Sequence, residues 1–120
     1  MQVVVEQLLT PVGLRSLAAS DPAYIGDYIG DVYQRDAAYH QGTVWSWLIG
    51  PMVKAWCRTH PDRHTEAAEW LSGLQEHLGD ACIGQISEIF EGNPPHRPKG
   101  CFAQAWSVAE LLNSRRLLSN

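Results

Sequence analysis

The clearest structural signal in this 120-residue chain lies at residues 61–78, which read PDRHTEAAEWLSGLQEHL. Apolar side chains recur there at the spacing of one face of an α-helix, at Ala67, Trp70, Leu71, Leu74 and Leu78. Pro61 suits the first turn of a helix and Gly79 suits its end, because proline lacks an N–H and glycine tolerates a left-handed conformation. The segment therefore predicts an amphipathic helix over 62–78.

Segments on either side of this one carry the same periodicity. Residues 43–59 predict a helix that Thr43 can cap, and residues 101–117 predict a last helix with apolar residues at Phe102, Ala105, Trp106, Ala109 and Leu112. A shorter helix over 3–9 is expected before a turn at 10–13. The expected fold class is all-α, with apolar helices that alternate with two long loops.

Composition and charge exclude several kinds of protein. The net charge of −4 argues against binding to nucleic acid, and no apolar run approaches the roughly 20 residues of a membrane span. The three cysteines, Cys57, Cys82 and Cys101, lack CxxC spacing, and the histidines lack ligand spacing, so we expect no metal and no cofactor. An odd number of cysteines without a signal peptide indicates reduced, buried thiols in a cytoplasmic protein.

The first cluster of polar and aromatic residues lies at 35–47, which read RDAAYHQGTVWSW. Planar carboxylate and amide groups can pair with neighbouring sugar hydroxyls, and a tryptophan face can pack on the apolar face of a pyranose ring. Candidate sugar-binding residues are therefore Asp36, Tyr39, His40, Gln41 and Trp45. The alternative is a helix start with buried hydrogen bonds, and composition alone does not decide between the two.

Two further clusters lie near the carboxyl end of the chain. Glu88 stands among apolar neighbours, where a carboxylate is costly unless it is paired or functional. On the residues alone, a helix cap or a salt bridge is the favoured explanation for it. Glu91 is expected to be solvated. Gln104 falls at the start of the last helix and is a further candidate, whereas Trp106 by itself is better explained by core packing.

Three motifs occur in an order that resembles a known glycoside hydrolase family. YHQGTVW at 39–45, SEI at 87–89 and QAWS at 104–107 resemble, in that order, the end of the amylo-α-1,6-glucosidase domain of glycogen debranching enzymes. The opening TPVGLRSL at 10–17 also resembles bacterial members. Family members commonly have Trp-Pro-Trp where this chain has Trp45-Ser46-Trp47. We therefore interpret residues 1–120 as a C-terminal segment of such a domain.

The resemblance implies a fold and an activity. The fold would be a partial (α/α)6 toroid of the six-hairpin glycosidase type, with about four helices of the full ring. The complete domain would hydrolyse α-1,6-linked glucose from a branched α-glucan or glucoside with inversion, and Glu88 would be the general base. The segments around His40 and Gln104 would form the pocket wall.

The length of the chain limits what it is expected to do alone. The family's general acid lies upstream of these residues, so we expect the isolated chain to be inactive. An arc of a helical ring exposes apolar edges, which predicts self-association or a partner chain that completes it. Two alternatives remain: a non-catalytic α-glucan-binding or interaction module, and a gene remnant without independent activity. Helix connectivity further predicts that Glu88 lies at the same end as His40, Gln41 and Gln104.

Overall fold

The computed structural model describes residues 1–119, which contain six short α-helices, one 3-10 turn and a five-stranded sheet. The helices are α1 (Gln2–Gln7), α2 (Val32–Ala38), α3 (Ile49–Thr59), α4 (His64–Glu69), α5 (Ser72–His77) and α6 (Ala105–Leu118), and the 3-10 turn is Ser46–Leu48. The strands are β1 (Leu9–Thr10), β2 (Gly13–Arg15), β3 (Val44–Trp45), β4 (Ile89–Phe90) and β5 (Pro98–Lys99).

The sheet overturns the prediction of an all-α fold and, with it, the partial toroid of about four helices. Its strands follow chain order from β1 to β5, and every neighbouring pair is antiparallel. Each strand has only two or three residues, which is too short to show the alternation of apolar and polar side chains that identifies a strand. The fold is therefore mixed, with helices packed beside a small meander.

The expected turn at 10–13 forms the first hairpin of this sheet. The Thr10 hydroxyl donates to the carbonyl of Gly13 at 2.9 Å. Gly13 adopts a φ of +138°, and a Cβ atom there would lie 2.5 Å from the carbonyl oxygen of Trp45 on β3. Glycine is required here because the backbone conformation and the close strand contact both exclude a side chain.

The helix predicted over 43–59 begins later than expected. Val44 and Trp45 pair with Phe90 and Ile89 in the sheet, and the chain becomes helical only from Ser46. Thr43 does not cap the helix; its hydroxyl donates to the carbonyl of Tyr39 at 2.6 Å. The sequence 39–45 therefore forms a turn and a strand in place of a helix start.

The helix predicted over 62–78 is divided into α4 and α5. The Ser72 hydroxyl donates to the carbonyl of Glu69 at 2.9 Å. At the break, this side-chain hydrogen bond competes with the backbone hydrogen bonds that would continue the helix. Gly73 then allows α5 to approach the backbone of Pro11 closely. The predicted apolar stripe nevertheless faces inward, since Ala67, Leu71 and Leu74 are all buried.

The core lies mainly between α3, α4, α5 and the start of the sheet. Its buried members include Ile49, Val53, Trp56, Leu71, Leu74, Ile86 and Leu111. The last helix, α6, turns a different face to this core than the sequence predicted. Ser107, Leu111 and Ser114 point inward, whereas Trp106 and Leu112 are exposed.

Several smaller expectations also need correction. The first of the two expected long loops, which precedes the helix predicted over 43–59, contains α2, and this helix begins with a capping box formed by Asp31 and Gln34. Of the cysteines only Cys57 is buried, while Cys82 is half-buried and Cys101 is exposed. Within residues 1–119, no helix is long and apolar enough to cross a membrane.

Candidate functional site

The carboxylate of Glu88 accepts a hydrogen bond on each of its oxygens. The Tyr39 hydroxyl donates to Oε1, and the backbone N–H of Cys101 donates to Oε2 at 2.9 Å. Within residues 1–119 no cation lies close enough to form an ion pair with this half-buried side chain. Glu88 therefore neither caps a helix nor forms a salt bridge, the two structural roles that the sequence analysis offered as alternatives to a functional one.

Backbone contacts on both sides fix the loop that carries Glu88. The N–H of Glu88 donates to the carbonyl of Cys101 at 2.8 Å, and the N–H of Gln104 donates to the carbonyl of Ile86 at 2.9 Å. Gly100 has a φ of +68°, and a side chain at this position would collide with the Glu88 carboxylate. The segment 100–104 thus supports the carboxylate through backbone groups.

The motif YHQG at 39–42 forms the turn between α2 and β3. The carbonyl of Tyr39 accepts from the Thr43 hydroxyl at 2.6 Å and from the Trp45 indole N–H at 3.2 Å. Gly42 has a φ of +151°, and a Cβ atom there would lie 2.5 Å from the carbonyl of Ile25. Residues of this motif therefore bring the Tyr39 ring to Glu88 by local turn geometry.

The environment of Tyr39 keeps its hydroxyl protonated. Burial raises the pKa of the Tyr39 phenol, and both the hydrogen bond to Glu88 and the negative charge of that carboxylate raise it further, with a smaller contribution from Tyr28. Ionising the phenol would place two negative charges side by side. At neutral pH Tyr39 is consequently a hydrogen-bond donor to Glu88.

An aromatic cleft opens beside this pair. Its volume is about 410 Å³, and it is lined by Ser16, His40, Trp45, Trp47, Leu48 and Trp106. The rings of His40 and Trp45 are stacked with centroids 5.2 Å apart, and those of Trp47 and Trp106 are stacked at 5.3 Å. The Tyr39 ring meets both His40 and Trp45 edge-on, at 4.8 and 4.9 Å, so it links Glu88 to the cleft.

The structure brings together four of the seven candidate residues. Glu88 bonds to Tyr39, and the Tyr39 ring contacts both His40 and Trp45, so one chain of contacts connects the four residues. The expected position of Glu88 at the same end as His40, Gln41 and Gln104 stays a prediction. Gln104 reaches the Glu88 loop through its backbone N–H. The side chains of Asp36 and Gln41 are exposed, and the contacts within the described chain do not join them to this cluster. The roles assigned to all seven remain predictions.

Three further residues, two at the cleft and one beside the Glu88 loop, were not candidates in the sequence analysis. Trp47 was not chosen as a candidate, and Trp106, expected in the core, is 47% exposed; both line the cleft. His77 hydrogen bonds to the residue before Glu88, across ten positions of sequence. The sequence did contain a signal for both tryptophans. Trp106 lies within the motif at 104–107, and Trp47 lies two residues after the motif at 39–45. No local pattern marks His77.

Glu91, three residues beyond Glu88, has a different environment from the one expected. It is 5% exposed and lies 3.3 Å from the Lys99 ammonium and 3.9 Å from the Arg97 guanidinium. Its carboxylate is therefore a buried structural partner of two cations. Of the two glutamates in this loop, Glu88 is therefore the one whose carboxylate has no cation partner within residues 1–119.

A family model described as amylo-alpha-1,6-glucosidase matches residues 1–113. The match spans nearly the whole chain and includes the Glu88 loop, the turn at 39–42 and the four aromatic residues of the cleft. The chain therefore belongs to the amylo-alpha-1,6-glucosidase family of glycogen debranching enzyme domains.

Proposed function

We propose that this chain provides the general-base half of a site that hydrolyses α-1,6-linked glucose in branched α-glucans. The observation that carries the proposal is the Glu88 carboxylate, which is held by the Cys101 N–H and by Tyr39, whose ring contacts the cleft residues His40 and Trp45. A carboxylate offers about four lone-pair positions, and these two donors occupy two of them. The remaining positions can accept a water molecule from the solvent-exposed side.

The chemistry follows from this arrangement. In an inverting glycosidase one carboxylate takes a proton from water as that water attacks the anomeric carbon, while a carboxylic acid on the opposite face protonates the leaving oxygen. The two groups stand roughly 6.5–9.5 Å apart to leave room for the water. Glu88 supplies the first group. We propose that the acid comes from another part of the family domain or from a partner chain.

The aromatic cleft is suited to hold the glucose unit. A pyranose ring presents apolar C–H faces and a rim of hydroxyls, and the cleft offers ring faces from tryptophans together with the exposed His40 side chain and the Ser16 hydroxyl. Packing a sugar on Trp106 would also cover part of an aromatic side chain that is otherwise exposed. The cleft is therefore suited to a sugar ring.

A second candidate function is a non-catalytic α-glucan-binding module. It is favoured by the position of Trp47 and Trp106, whose stacked rings lie on the cleft wall without contact to Glu88. Such a module would need the tryptophans and would not need the carboxylate. The two candidates therefore differ in what a change at Glu88 does.

Binding of a short α-1,6-branched maltooligosaccharide to the full chain, measured by calorimetry, tests the site. We expect Trp106→Ala to weaken binding about tenfold through the loss of stacking and apolar contact. Phe102→Ala is the matched control, because Phe102 is also an exposed aromatic side chain but does not line the cleft. Equal effects of the two changes, or no binding by the unaltered chain, would overturn the assignment of the cleft.

Hydrolysis by the chain alone provides a separate check. We expect no release of glucose from a branched limit dextrin, because acid catalysis is typically worth about 10²–10⁴-fold and Glu88 cannot supply both groups. Glucose release by homogeneous protein would show that the chain carries its own acid.

A further inference from the structure

His77, at the end of α5, is a buried histidine that the proposed mechanism does not use. It is 5% exposed, and its ring packs edge-on against Phe90 of β4 at 4.7 Å. Its Nε2 accepts the backbone N–H of Ser87 at 3.2 Å and lies 3.0 Å from the Ser87 hydroxyl. Its Nδ1 lies 3.2 Å from a carboxylate oxygen of Asp80.

These contacts assign the proton of the ring. A nitrogen that accepts an N–H must present a lone pair, so Nε2 is unprotonated and Nδ1 carries the hydrogen that it donates to Asp80. The order Ser–His–Asp resembles a nucleophile triad, but Ser87 is 1% exposed and its own backbone N–H competes for Nε2. The arrangement therefore holds the Ser87 backbone and does not activate its hydroxyl.

Ser87 directly precedes Glu88, and the two side chains serve opposite sides of the loop. The Ser87 side chain is buried against His77, whereas the Glu88 side chain is half-exposed and meets Tyr39. The backbone groups on either side of Ser87 are also held: the carbonyl of Ile86 accepts from the N–H of Gln104, and the N–H of Glu88 donates to the carbonyl of Cys101. Fixing Ser87 from inside consequently restricts the direction in which the Glu88 side chain leaves the backbone.

We propose that His77 is a positioning residue for Glu88: by accepting the Ser87 N–H, it holds the loop so that the carboxylate meets the Tyr39 hydroxyl. This inference rests on the proposed role of Glu88 as base. Removal of the buried His77 imidazole would leave the Ser87 N–H without a hydrogen-bond acceptor.

Two amide replacements separate this role from simple packing. The side-chain oxygen of His77→Gln can reach the position of Nε2, whereas that of His77→Asn reaches only the position of Nδ1. We expect the Ser87 and Cys101 backbone amides to exchange hydrogen with solvent about tenfold faster or more in His77→Asn, because a buried donor loses its acceptor. His77→Gln should stay within about threefold of the unaltered chain, and the amide of Val53 in α3 should be unaffected in both.

Asp80→Ala gives a third measurement that does not endanger the fold, since the Asp80 side chain is largely exposed. Freeing Nδ1 lets the ring rotate, so a smaller acceleration, of about threefold, is expected at the same two amides. Unchanged exchange at Ser87 and Cys101 in both His77→Asn and Asp80→Ala would overturn the inference. Acceleration spread evenly over the α3 amides would also overturn it, because it would indicate only a global loss of stability.

A ligand measurement connects His77 to the chemistry. The affinity of a protonated iminosugar relative to glucose reports the carboxylate, whereas glucose affinity alone reports the cleft. We expect His77→Asn to reduce the iminosugar preference by about tenfold while glucose affinity changes little, and His77→Gln to restore the preference. If Glu88→Gln has no effect on this preference, the proposed base role fails, whereas an effect of Glu88→Gln without one of His77→Asn overturns the positioning role alone.

Discussion

The contact between Tyr39 and Glu88 makes a measurable prediction about stability. Tyr39→Phe removes the hydroxyl that donates to Oε1 but keeps the ring that packs against His40 and Trp45. Glu88→Gln removes the negative charge but keeps the shape of the side chain. Because a glutamine oxygen can still accept from the phenol, the two single changes and the double change form a cycle that isolates the contribution of the Glu88 charge to this interaction.

The magnitude follows from the surroundings of the pair. Hydrogen bonds to a charged group contribute about 1.5–3 kcal/mol when they are buried. Glu88 is half-exposed and keeps the Cys101 N–H as a second donor, so water can replace part of what the phenol provided. We therefore expect a coupling free energy of about 1 kcal/mol, and a decrease of about 4 °C in the melting temperature for Tyr39→Phe.

Urea denaturation of the four proteins, followed by circular dichroism, measures the coupling. The slopes with denaturant should be equal, since none of the changes alters the surface that unfolding exposes. A coupling below about 0.3 kcal/mol, which is the usual deviation from additivity for independent sites, would refute a charge-assisted hydrogen bond between Tyr39 and Glu88. It would also remove the structural basis for treating Tyr39 as a partner of the base.

Further predictions concern the titration of Tyr39, the ion pairs of Glu91 and the exposed face of α6. Titration of the tyrosines by ultraviolet absorbance should show one phenol, Tyr39, that ionises above the ordinary value of about 10, and Glu88→Gln should move it down. Because the pKa of Tyr39 is raised in the folded state, the stability that its phenol contributes is fully present below about pH 10 and is lost as the pH rises above that value. The Tyr39→Phe protein should not show this loss of stability. Lys99→Met should lower the free energy of unfolding by about 1–2 kcal/mol, since it leaves the buried Glu91 with the more distant guanidinium, and the same change in a Glu91→Gln background should cost much less. Sedimentation should show self-association that Leu112→Glu weakens, because Leu112 is 59% exposed on an apolar face of α6; a monomer at high concentration would contradict this.

The sequence predicted the inward faces of some helices and none of the strands. Ala67, Leu71 and Leu74 are buried because three or four residues separate the members of a helical stripe, and this spacing survives the break between α4 and α5. Val44 and Trp45 satisfy the helical spacing equally well but pair with Phe90 and Ile89. A strand of two residues forms only because a partner strand pairs with it, and sequence periodicity carries no information about that partner.

The last helix, α6, also shows that hydrophobic spacing alone does not determine which face of a helix is buried. Trp106 and Leu112 form a regular apolar stripe, yet the helix turns Ser107 and Ser114 inward. Small side chains allow the close packing of α6 against α3 and the preceding 3-10 turn, and this tertiary requirement overrides the hydrophobic pattern. The exposed stripe is what places Trp106 at the cleft.

The candidate site could be found from the sequence only in outline. Motif resemblance identified Glu88 and the turn at 39–42, and the structure brings Tyr39 from that turn into contact with the carboxylate. His77 was not found, because its link to Ser87 joins the end of one helix to a loop that has no periodicity of its own. Contacts between irregular segments depend on the tertiary fold and leave no local signature.

The central claim is that Glu88 is a charged catalytic base beside a sugar-binding cleft, and ligand affinity tests it without requiring turnover. Calorimetry would compare a protonated glucose-like iminosugar with glucose, for the unaltered chain and for Glu88→Gln. The account predicts that the unaltered chain prefers the cation by about tenfold or more through a charge-assisted hydrogen bond, and that Glu88→Gln abolishes this preference while glucose affinity stays within about threefold. Equal preference for the iminosugar in both proteins would contradict the account.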